Sequence, residues 1–466
     1  MGRAAWLAPG VEVRCAEPDD PRGRRVFARK PIVAGTLVLR EPAAATALSR
    51  ERWELHCAGC WARLRGTGKL RCSRCRLVHY CNNRCQLVDW ARAHRSECAG
   101  LPQLARAAEA EERSSGYAGL AEDALLVGRL VRAWARNAGA QGALEALCHS
   151  PSPRLEQAGR VARAAESAGL LADGPALAAP ATKVAALALQ LASCFDANNF
   201  GVNAPLGGGV LGTGCWPTSA LLNHSCEPTC ALAHVFTPAA AHSASAQPAL
   251  HCQEIRTIVD CPAGTELAHS YIERGLGYGA RLQLLRAGWG IDRCDCARCA
   301  DSRERRESDP LDGPLLPSAA ALNDLSEAAN LHAQALLAEE ASDEAELLGQ
   351  VLRLRQRHLD PAHAHVRETH AALLALKLAR GELGVARAHA HELVESSRLA
   401  YGARPCVSLA ISLVTAAELH VAAAVPGDDV GGRALASEAL AVLLVTNGAA
   451  HPLTRKAAAL AGGSDL

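Results

Sequence analysis

Apolar and polar positions alternate in short segments near the N-terminus of the chain. Residues 11–13, 25–28 and 35–39 combine apolar, often β-branched, side chains with polar neighbours, and proline or glycine residues bound these segments. Alternation with a period of two places one set of side chains on a buried face, which is typical of a strand in a half-buried sheet. The pattern therefore predicts short strands joined by turns over residues 11 to 48.

The pattern changes twice further along the chain. Residues 100 to 195 are rich in alanine, leucine, glutamate and arginine and contain few breakers, which predicts helices. Residues 196 to 273 return to strands and loops, with glycines at 207 to 209, 212 and 214. Within them, residues 237–248 are small and polar and predict a flexible hairpin insertion.

From about Pro317 to the end, the pattern is almost entirely helical. Asp360-Pro361, Arg404-Pro405 and His451-Pro452 recur at intervals of 44 and 47 residues. Helix pairs such as 366–379 and 383–399 run between them. This spacing is typical of stacked helical hairpins of the tetratricopeptide type, with an irregular helical bundle as the alternative.

Cysteine and histidine residues are concentrated between Cys57 and Cys98 in the pattern C-x2-C-x11-C-x2-C-x5-C-x3-C-x8-H-x3-C. Zn²⁺ takes four thiolate or imidazole ligands in a tetrahedron, so eight ligands make two sites. Spacing leaves two arrangements open, because neighbouring pairs or alternate pairs can share a metal. A disulfide framework is the other alternative, but C-x2-C pairs with a histidine in register favour metal. The pairs are Cys57/Cys60, Cys72/Cys75, Cys81/Cys85 and His94/Cys98.

Composition and charge restrict the class of protein. The chain has 466 residues, 19 cysteines and a net charge of +1. Its length predicts two to four domains, and its near-neutral charge gives no whole-chain argument for binding nucleic acid or membrane. Residues 1–14 lack the apolar core of a signal peptide, and no run reaches the roughly 18 apolar residues of a membrane helix. We therefore expect a soluble intracellular protein in which free thiols persist.

The region between the first and last of these eight ligands is locally basic. Such a face is usually a solvated surface, although it also suits an acidic partner or DNA phosphates. DNA binding would have to show a strong salt dependence. The basic residues are Arg63, Arg65, Lys69, Arg71, Arg74, Arg76 and Arg84.

A second group of motifs lies between residues 196 and 300. Residues 221–228 (LLNHSCEP) stand about forty residues before residues 264–267 (GTEL), and Tyr271 follows soon after. Next comes a C-x-C-x2-C cluster, which supplies three ligands for a site that needs four. Cys226 is the attractive fourth donor to Cys294, Cys296 and Cys299. For Cys148, Cys194 and Cys406 we prefer the interpretation as buried small hydrophobic residues.

In their order along the chain, these motifs resemble those of the lysine methyltransferases that carry a SET domain split by a MYND zinc finger. The matching segments are Arg22-Gly23-Arg24, the eight-ligand region, residues 223–226 (NHSC), the strand that ends in Tyr271, and the last cysteine cluster. The resemblance covers residues 11 to 300, and more loosely the helical C-terminal part.

The resemblance implies an α+β fold in which a β-rich SET domain is split by the finger. It implies a SET N-terminal part (11–49), a MYND finger (50–98), a helical insertion (99–195), a SET core (196–273), a post-SET zinc segment (274–300) and a TPR-like helical domain (301–466). It also implies alternate pairing in the finger and a third zinc. The three ligand sets would be Cys57, Cys60, Cys81 and Cys85; Cys72, Cys75, His94 and Cys98; and Cys226, Cys294, Cys296 and Cys299.

The resemblance further implies transfer of a methyl group from S-adenosylmethionine to a lysine of a histone or another protein. Tyr271 is similar to the catalytic tyrosine that orients the methyl group and the amine. The matching cofactor-binding positions are Arg22, Gly23, Arg24, Asn198, Asn223, His224, Tyr271 and Trp289. A monomeric chromatin regulator of the cytoplasm and nucleus, without membrane binding, is expected.

Two departures from the family pattern favour an alternative function. The family turn reads G-x-G, whereas Arg25 replaces the second glycine. If that position requires a positive φ, Arg25 costs roughly 1 kcal/mol or more. Near the last cluster, Trp289 and Ile291 stand where the family has tyrosine or phenylalanine. The alternative is a zinc-finger adaptor with weak or no catalysis that binds proline-rich peptides. No motif identifies the substrate or the degree of methylation.

Overall fold

The structure is a computed structural model that describes residues 5–14, 23–65, 69–136, 138–145, 147, 155–171, 181–194, 198–204, 206, 209–235, 251–304, 309–338, 340–422 and 429–462. Arg22, Cys148 and the predicted hairpin insertion at 237–248 lie outside these residues.

The described strands are short. In chain order they are β1 (Trp6–Leu7), β2 (Val11–Arg14), β3 (Arg25–Ala28), β4 (Leu37–Pro42), β5 (Ala45–Leu48), β6 (Leu70–Arg71), β7 (His79–Tyr80), β8 (Asn199–Asn203), β9 (Val210–Cys215), β10 (Cys230–Val235) and β11 (Cys252–Thr257). Strands β2, β3 and β4 confirm the N-terminal strands that the alternating pattern predicts.

The strands form antiparallel sheets that join distant parts of the sequence. One sheet has the order β1-β4-β11-β10, another has the order β5-β9-β8, and β2 pairs with β3. Leu39 of β4 lies opposite Ile255 of β11, and both side chains are buried. The segments on either side of residues 50–195 therefore share the same sheets. We call β1–β5 and β8–β11 the core.

The segment between the core strands holds a small finger (residues 50–98) and a helical insertion (residues 99–195). In the finger, β6 pairs with β7, and α1 continues through a π-helical turn at Trp90–His94 into α2. The helical insertion contains α3 to α7, as its composition predicts. The described helices up to this point are α1 (Asn83–Asp89), α2 (Arg95–Glu97), α3 (Leu101–Ser115), α4 (Leu120–Arg136), α5 (Ala138–Glu145), α6 (Leu155–Ser167) and α7 (Ala181–Ser193).

Helix α4 is the centre of the largest apolar cluster. Its side chains Leu126 and Leu130 are fully buried, and the cluster continues into β5, β9 and the finger. Burial of a large apolar side chain contributes about 1.5–3 kcal/mol, so this shared cluster fixes the finger against the core.

The rest of the chain is helical. Successive helices from Ala319 onward pack on each other. The predicted pair 366–379 and 383–399 is confirmed by two helices, Ala364–Ala379 and Leu383–Tyr401. Gly381 lies between them with a φ of +73°, a conformation that favours glycine. The tetratricopeptide geometry stays a prediction. The helices are α8 (Tyr278–Trp289), α9 (Ala297–Glu304), α10 (Ala319–Ala335), α11 (Ala341–His358), α12 (Ala364–Ala379), α13 (Leu383–Tyr401), α14 (Val407–Ala422), α15 (Asp429–Thr446) and α16 (Pro452–Leu460).

The C-terminal helices α10–α16 contact the core directly. Helix α15 packs against β10 and β11, and Arg404 bonds the loop before β10. A search of the described residues finds no helix long and apolar enough to cross a bilayer.

Candidate zinc centres and candidate active site

The first cluster of the finger brings together two cysteine pairs that are separated in sequence. Its thiols, from Cys57, Cys60, Cys81 and Cys85, lie within 4.8 Å of one another. The Sγ atoms of Cys60 and Cys81 are 3.7 Å apart, and those of Cys81 and Cys85 are 3.5 Å apart. A tetrahedron with Zn–S bonds of about 2.3 Å has edges of about 3.8 Å, so the thiols suit Zn²⁺.

The second cluster contains Cys72, Cys75, His94 and Cys98. The Sγ atoms of Cys72 and Cys98 are 3.7 Å apart, and Cys75 Sγ lies 3.6 Å from His94 Nε2. All four side chains are buried. The structure therefore groups alternate pairs, which spacing alone left open and the resemblance implied.

Local backbone geometry presents the first two ligands of each cluster. The residue after each C-x2-C pair has a left-handed conformation, with a φ of 60° at Trp61 and 56° at Arg76. The Trp61 N–H donates to the Cys57 carbonyl at 2.7 Å, and the Arg76 N–H donates to the Cys72 carbonyl at 3.0 Å. Two equivalent turns thus aim two pairs of thiols, and their strained φ values belong to zinc-type knuckles.

The third pair and the final ligands lie on helical backbone. The Asn82 side chain accepts from the Cys85 N–H at 2.8 Å and caps α1. The π-helical turn ends at His94 and precedes Cys98 in the same helical segment. Such π-turns are frequent at functional sites, because the extra residue re-aims side chains.

A buried ion triad fixes the end of the finger to the helical insertion. Glu97, beside Cys98, accepts from Arg129 Nε at 2.8 Å and Arg129 Nη2 at 2.7 Å, and it also pairs with Arg132. Burial raises the pKa of the Glu97 carboxyl, but the two guanidinium groups outweigh burial and hold the pKa below its usual value. No local pattern predicts this contact, since Arg129 and Arg132 are more than thirty residues from Glu97.

The third cluster joins a core loop to the segment after α8. The thiols of Cys226, Cys294, Cys296 and Cys299 lie within 4.8 Å of one another, as predicted. Arg281 of α8 is fully buried, and its Nη2 lies 3.8 Å from Cys299 Sγ. A buried guanidinium offsets part of the negative charge that four thiolates bring to a zinc site.

A cavity of about 350 Å³ lies between the core and the C-terminal helices. Tyr271 is half-buried in its wall, and its hydroxyl donates to the Leu222 carbonyl at 2.8 Å. Residues from both parts of the chain line the cavity, among them Asn199, Leu222, Tyr271, Trp289, Pro405 and Ser408.

The His224 ring links Tyr271 to the third cluster. The Tyr271 backbone N–H donates to His224 Nδ1 at 3.0 Å. Because Nδ1 accepts this bond, a ring proton lies on Nε2, which faces Cys226 Sγ at 3.2 Å. A zinc ligand and the predicted catalytic residue are thus connected by one imidazole.

Aromatic rings surround Tyr271 on several sides. The ring centroids of Trp289 and His224 both lie 5.3 Å from that of Tyr271, and that of His269 lies 4.9 Å away. Burial, with a smaller effect of His224, lowers the pKa of His269 to about 4, so this ring is neutral at pH 7. The ring of Tyr271 therefore packs among aromatic and imidazole rings, while Glu273 and Arg274 also line the cavity.

The predicted cofactor turn differs from the expectation about Arg25. Arg25 is extended in β3, opposite Arg14, and a strained φ at this position is ruled out. The positive φ of 64° belongs to Gly23. Substitution of the second glycine therefore adds a long cationic side chain, without backbone strain.

The structure brings most of the predicted cofactor-binding residues together. Asn223 Nδ2 donates to Glu266 Oε1 at 3.2 Å and lies 3.4 Å from the Arg24 carbonyl. Arg25 lies 3.6 Å from the other oxygen of Glu266. Glu266 lies inside the GTEL motif, residues 264–267. The motif was therefore identified in the sequence, but the contact of its glutamate with Asn223 was not predicted.

Asn198 is buried and is not among the residues that line the cavity. Its buried side chain donates to the Cys194 carbonyl at 2.7 Å, whereas the neighbouring Asn199 lines the cavity. The structure therefore offers Asn199, one position along, as the asparagine with access to the cavity.

Comparison with known proteins supports this arrangement. The family model of the MYND finger matches residues 57–98. The chain is 38% identical over 101 residues to the N-lysine methyltransferase SMYD2 of Gallus gallus, which is 22% of each chain. It is 29% identical over 305 residues to the N-lysine methyltransferase SMYD2-B of Danio rerio, which is 62% of this chain and 60% of that relative.

A further match is to the ubiquitin carboxyl-terminal hydrolase 15 of Arabidopsis thaliana, 42% identical over 57 residues. It covers 12% of this chain and 6% of the hydrolase, too little to bear on the activity of either protein. The chain thus spans about a fifth of the length of one methyltransferase relative and 60% of the other.

Proposed function

We propose that this chain, which belongs to the family of SET and MYND domain proteins, transfers a methyl group from S-adenosylmethionine to a lysine side chain of a protein. The position of Tyr271 carries the proposal: its hydroxyl is fixed in the wall of a cavity between the core and the C-terminal helices. Under this proposal, residues 11–49 and 196–273 form the two parts of the SET domain, and residues 274–300 form the post-SET segment.

The side chains near Tyr271 fit such a cofactor and substrate. Gly23, in a left-handed turn, permits close approach of the backbone to the cofactor. Asn223, held by Glu266, and Trp289, packed on Tyr271, would bind its polar and apolar parts. Arg24 is the remaining described basic residue of the turn and would face the carboxylate. When bound, the cofactor supplies a methyl group already activated on sulfur.

The protein contributes orientation and exclusion of water. Tyr271 Oη donates its proton to the Leu222 carbonyl, so its lone pairs would be available to a bound amine or methyl group. The aromatic wall removes water from the substrate amine and favours its neutral form, which is the nucleophile. Residues that hold the amine in line with the methyl group would then contribute to the rate acceleration through orientation.

The third zinc centre would position this wall. Through His224, a thiolate of the centre holds the backbone of Tyr271. The centre also fixes the segment that follows Trp289. The three zinc ions are therefore structural under this proposal, because each centre has four protein ligands and leaves no position for substrate.

Cofactor binding and transfer can be measured separately. Titration calorimetry with S-adenosylhomocysteine should give a saturable heat, and tritium from labelled S-adenosylmethionine should reach protein substrates. Tyr271→Phe should retain cofactor binding and lose at least tenfold in transfer. Tyr117→Phe, which removes a hydroxyl from the helical insertion, is the matched control and should leave transfer unchanged. Equal transfer by the native protein and Tyr271→Phe would remove Tyr271 from its proposed role.

A second candidate is a zinc-finger adaptor that binds proline-rich peptides. The observation in its favour is Arg25, whose guanidinium lies beside Glu266, the residue that holds Asn223. This cation changes the edge of the proposed cofactor site. Absence of heat with S-adenosylhomocysteine, together with binding of a proline-rich peptide to the zinc-loaded protein, would favour the adaptor. Localisation of the protein in the cytoplasm and nucleus, DNA binding and a monomeric state remain predictions.

A further inference from the structure

A second cavity, of about 190 Å³, lies where the finger, strand β5 and helix α4 meet. Four guanidinium groups line it. Arg129, Arg132 and Arg136 lie three and four positions apart on α4 and therefore share one face of that helix. Arg92 approaches from the π-helical turn of the finger. This concentration of positive charge is separate from the cavity beside Tyr271.

Two of the four arginines are used by the protein itself. Arg129 bonds Glu97 through Nε and Nη2 and donates from Nη1 to the Thr46 carbonyl at 2.5 Å. Arg132 pairs with Glu97 and donates to the Leu170 carbonyl at 2.7 Å. These contacts give Arg129 and Arg132 a structural role.

The other two arginines, Arg92 and Arg136, differ from these in their contacts. Within the part of the chain that the structure describes, no hydrogen bond or ion pair joins Arg92 or Arg136 to another residue. Arg92 is half-buried, and Arg136 is exposed at the rim of the cavity. Burial of Arg92 is costly, and Asp89 and Glu97 attract it without a hydrogen bond or ion pair, so an anion in direct contact would offset more of that cost.

The carboxyl groups nearby do not balance the charge. Among the described residues, Asp89 lines the cavity and Glu97 pairs with two of its arginines. Asp89 accepts a hydrogen bond from the Tyr80 hydroxyl at 2.8 Å, and burial raises the pKa of its carboxyl. With both carboxylates ionised, the four guanidinium groups still leave two positive charges, which match a dianion.

The other walls of the cavity leave room for a compact ligand. Gly59, Ala93 and Ala133 present little or no side chain. The rings of Trp61 and His251 pack edge to face, with centroids 4.5 Å apart. Burial, followed by the charge of Arg92, lowers the pKa of His251 well below its usual value, so the ring adds no charge.

We propose that this cavity binds a phosphate dianion, either free or as the phosphoryl group of a larger molecule, between Arg92 and Arg136. The planar fork of a guanidinium matches two phosphate oxygens, and charge-assisted bonds of this kind are the strong ones. The bound anion would connect the finger to α4 and stabilise their contact. This site is independent of methyl transfer.

Inorganic phosphate is the first probe, used with zinc-loaded full-length protein. Titration calorimetry at constant ionic strength, with chloride as the compensating anion, should show saturable binding. Phosphate should also raise the melting temperature, since a ligand that binds only the folded state stabilises it. The double variant Arg92→Gln/Arg136→Gln should bind phosphate at least tenfold more weakly. Circular dichroism and zinc content show whether this variant is folded.

The matched control is Arg106→Gln/Arg113→Gln. It removes the same charge from exposed positions of α3, and it should bind phosphate like the native protein. If both double variants bind phosphate equally weakly, the loss of net charge alone explains the effect and the proposal is overturned. The absence of saturable binding, or a folded Arg92→Gln/Arg136→Gln protein that binds phosphate normally, would also overturn it.

A second titration distinguishes the two sources of phosphate. A short peptide with phosphoserine is compared with its unphosphorylated form. Tighter binding of the phosphopeptide than of inorganic phosphate supports a phosphoryl group carried by a larger molecule. Binding of inorganic phosphate alone supports the free anion. In either case, Arg92→Gln/Arg136→Gln should no longer bind the ligand tightly. Normal binding by this variant would place the ligand elsewhere and contradict the proposal.

Discussion

Replacement of Glu97 by glutamine should destabilise the attachment of the finger to α4. The side chain is 1% exposed and is the shared partner of Arg129 and Arg132. Glutamine keeps the size of the residue but removes its charge, so two guanidinium groups lose their counter-charge. The amide nitrogen also faces donors where a carboxylate oxygen accepted bonds.

The magnitude follows from the burial of the triad. Removal of one partner from a buried ion pair costs about 3–5 kcal/mol, because it leaves an uncompensated buried charge. Glutamine retains one acceptor, so we expect about 3 kcal/mol. Domains of this size lose about 2–4 °C of melting temperature per kcal/mol, which gives a decrease of about 6–12 °C. That is a large part of a total stability of roughly 5–15 kcal/mol.

The assay is thermal and urea denaturation of zinc-loaded protein, followed by near-ultraviolet circular dichroism. Glu112→Gln is the matched control, since Glu112 pairs with Arg50 at 2.7 Å but is 43% exposed. Exposed pairs contribute about 0–1 kcal/mol, so the control should melt within about 4 °C of the native protein. Similar melting temperatures for the two variants would refute the assignment of Glu97 as the central contact.

Two further predictions concern the contact between the core and the C-terminal helices. Burial lowers the pKa values of His234 and His451 to about 4, so the unfolded chain takes up more protons below pH 6.5 and stability falls from pH 6.5 to 4. His451→Asn should reduce that pH dependence of the urea midpoint, and an unchanged slope would contradict it. Arg404 bonds Glu227 and the Pro228 carbonyl, both at 3.0 Å. Arg404→Met should raise KM for a protein substrate and leave S-adenosylhomocysteine binding within twofold; equal weakening of both would count against a role limited to the cleft.

Local patterns predicted the ligands and several strands. A C-x2-C pair needs only a tight turn, so the sequence identifies Cys57 and Cys60 as a pair. Which pairs share a metal depends on how β6, β7 and α1 fold together, and spacing contains no information about that. The resemblance supplied the alternate pairing that the structure shows.

The sequence does not predict which charged side chains are buried. Glu97, Glu266 and Arg281 look like ordinary surface residues in the sequence, because charged side chains are rarely buried. Each is buried or half-buried by partners distant in the chain, such as Arg129 for Glu97 and Asn223 for Glu266. The bounds of strand β11 are also hard to predict from the sequence. Both faces of the strand are largely buried, so its apolar and polar side chains alternate only weakly.

The pairing of β4 with β11 has a consequence for synthesis on the ribosome. Leu39 can pair with Ile255 only after the ribosome has synthesised the residues between them. At about 5–20 residues per second, this synthesis takes roughly 10 to 40 s. The finger needs only residues 57–98 to bind its metals, so it closes long before the central sheet. The emerging chain therefore carries a folded finger beside strand β4, which has only the short strand β1 as a partner until β11 emerges.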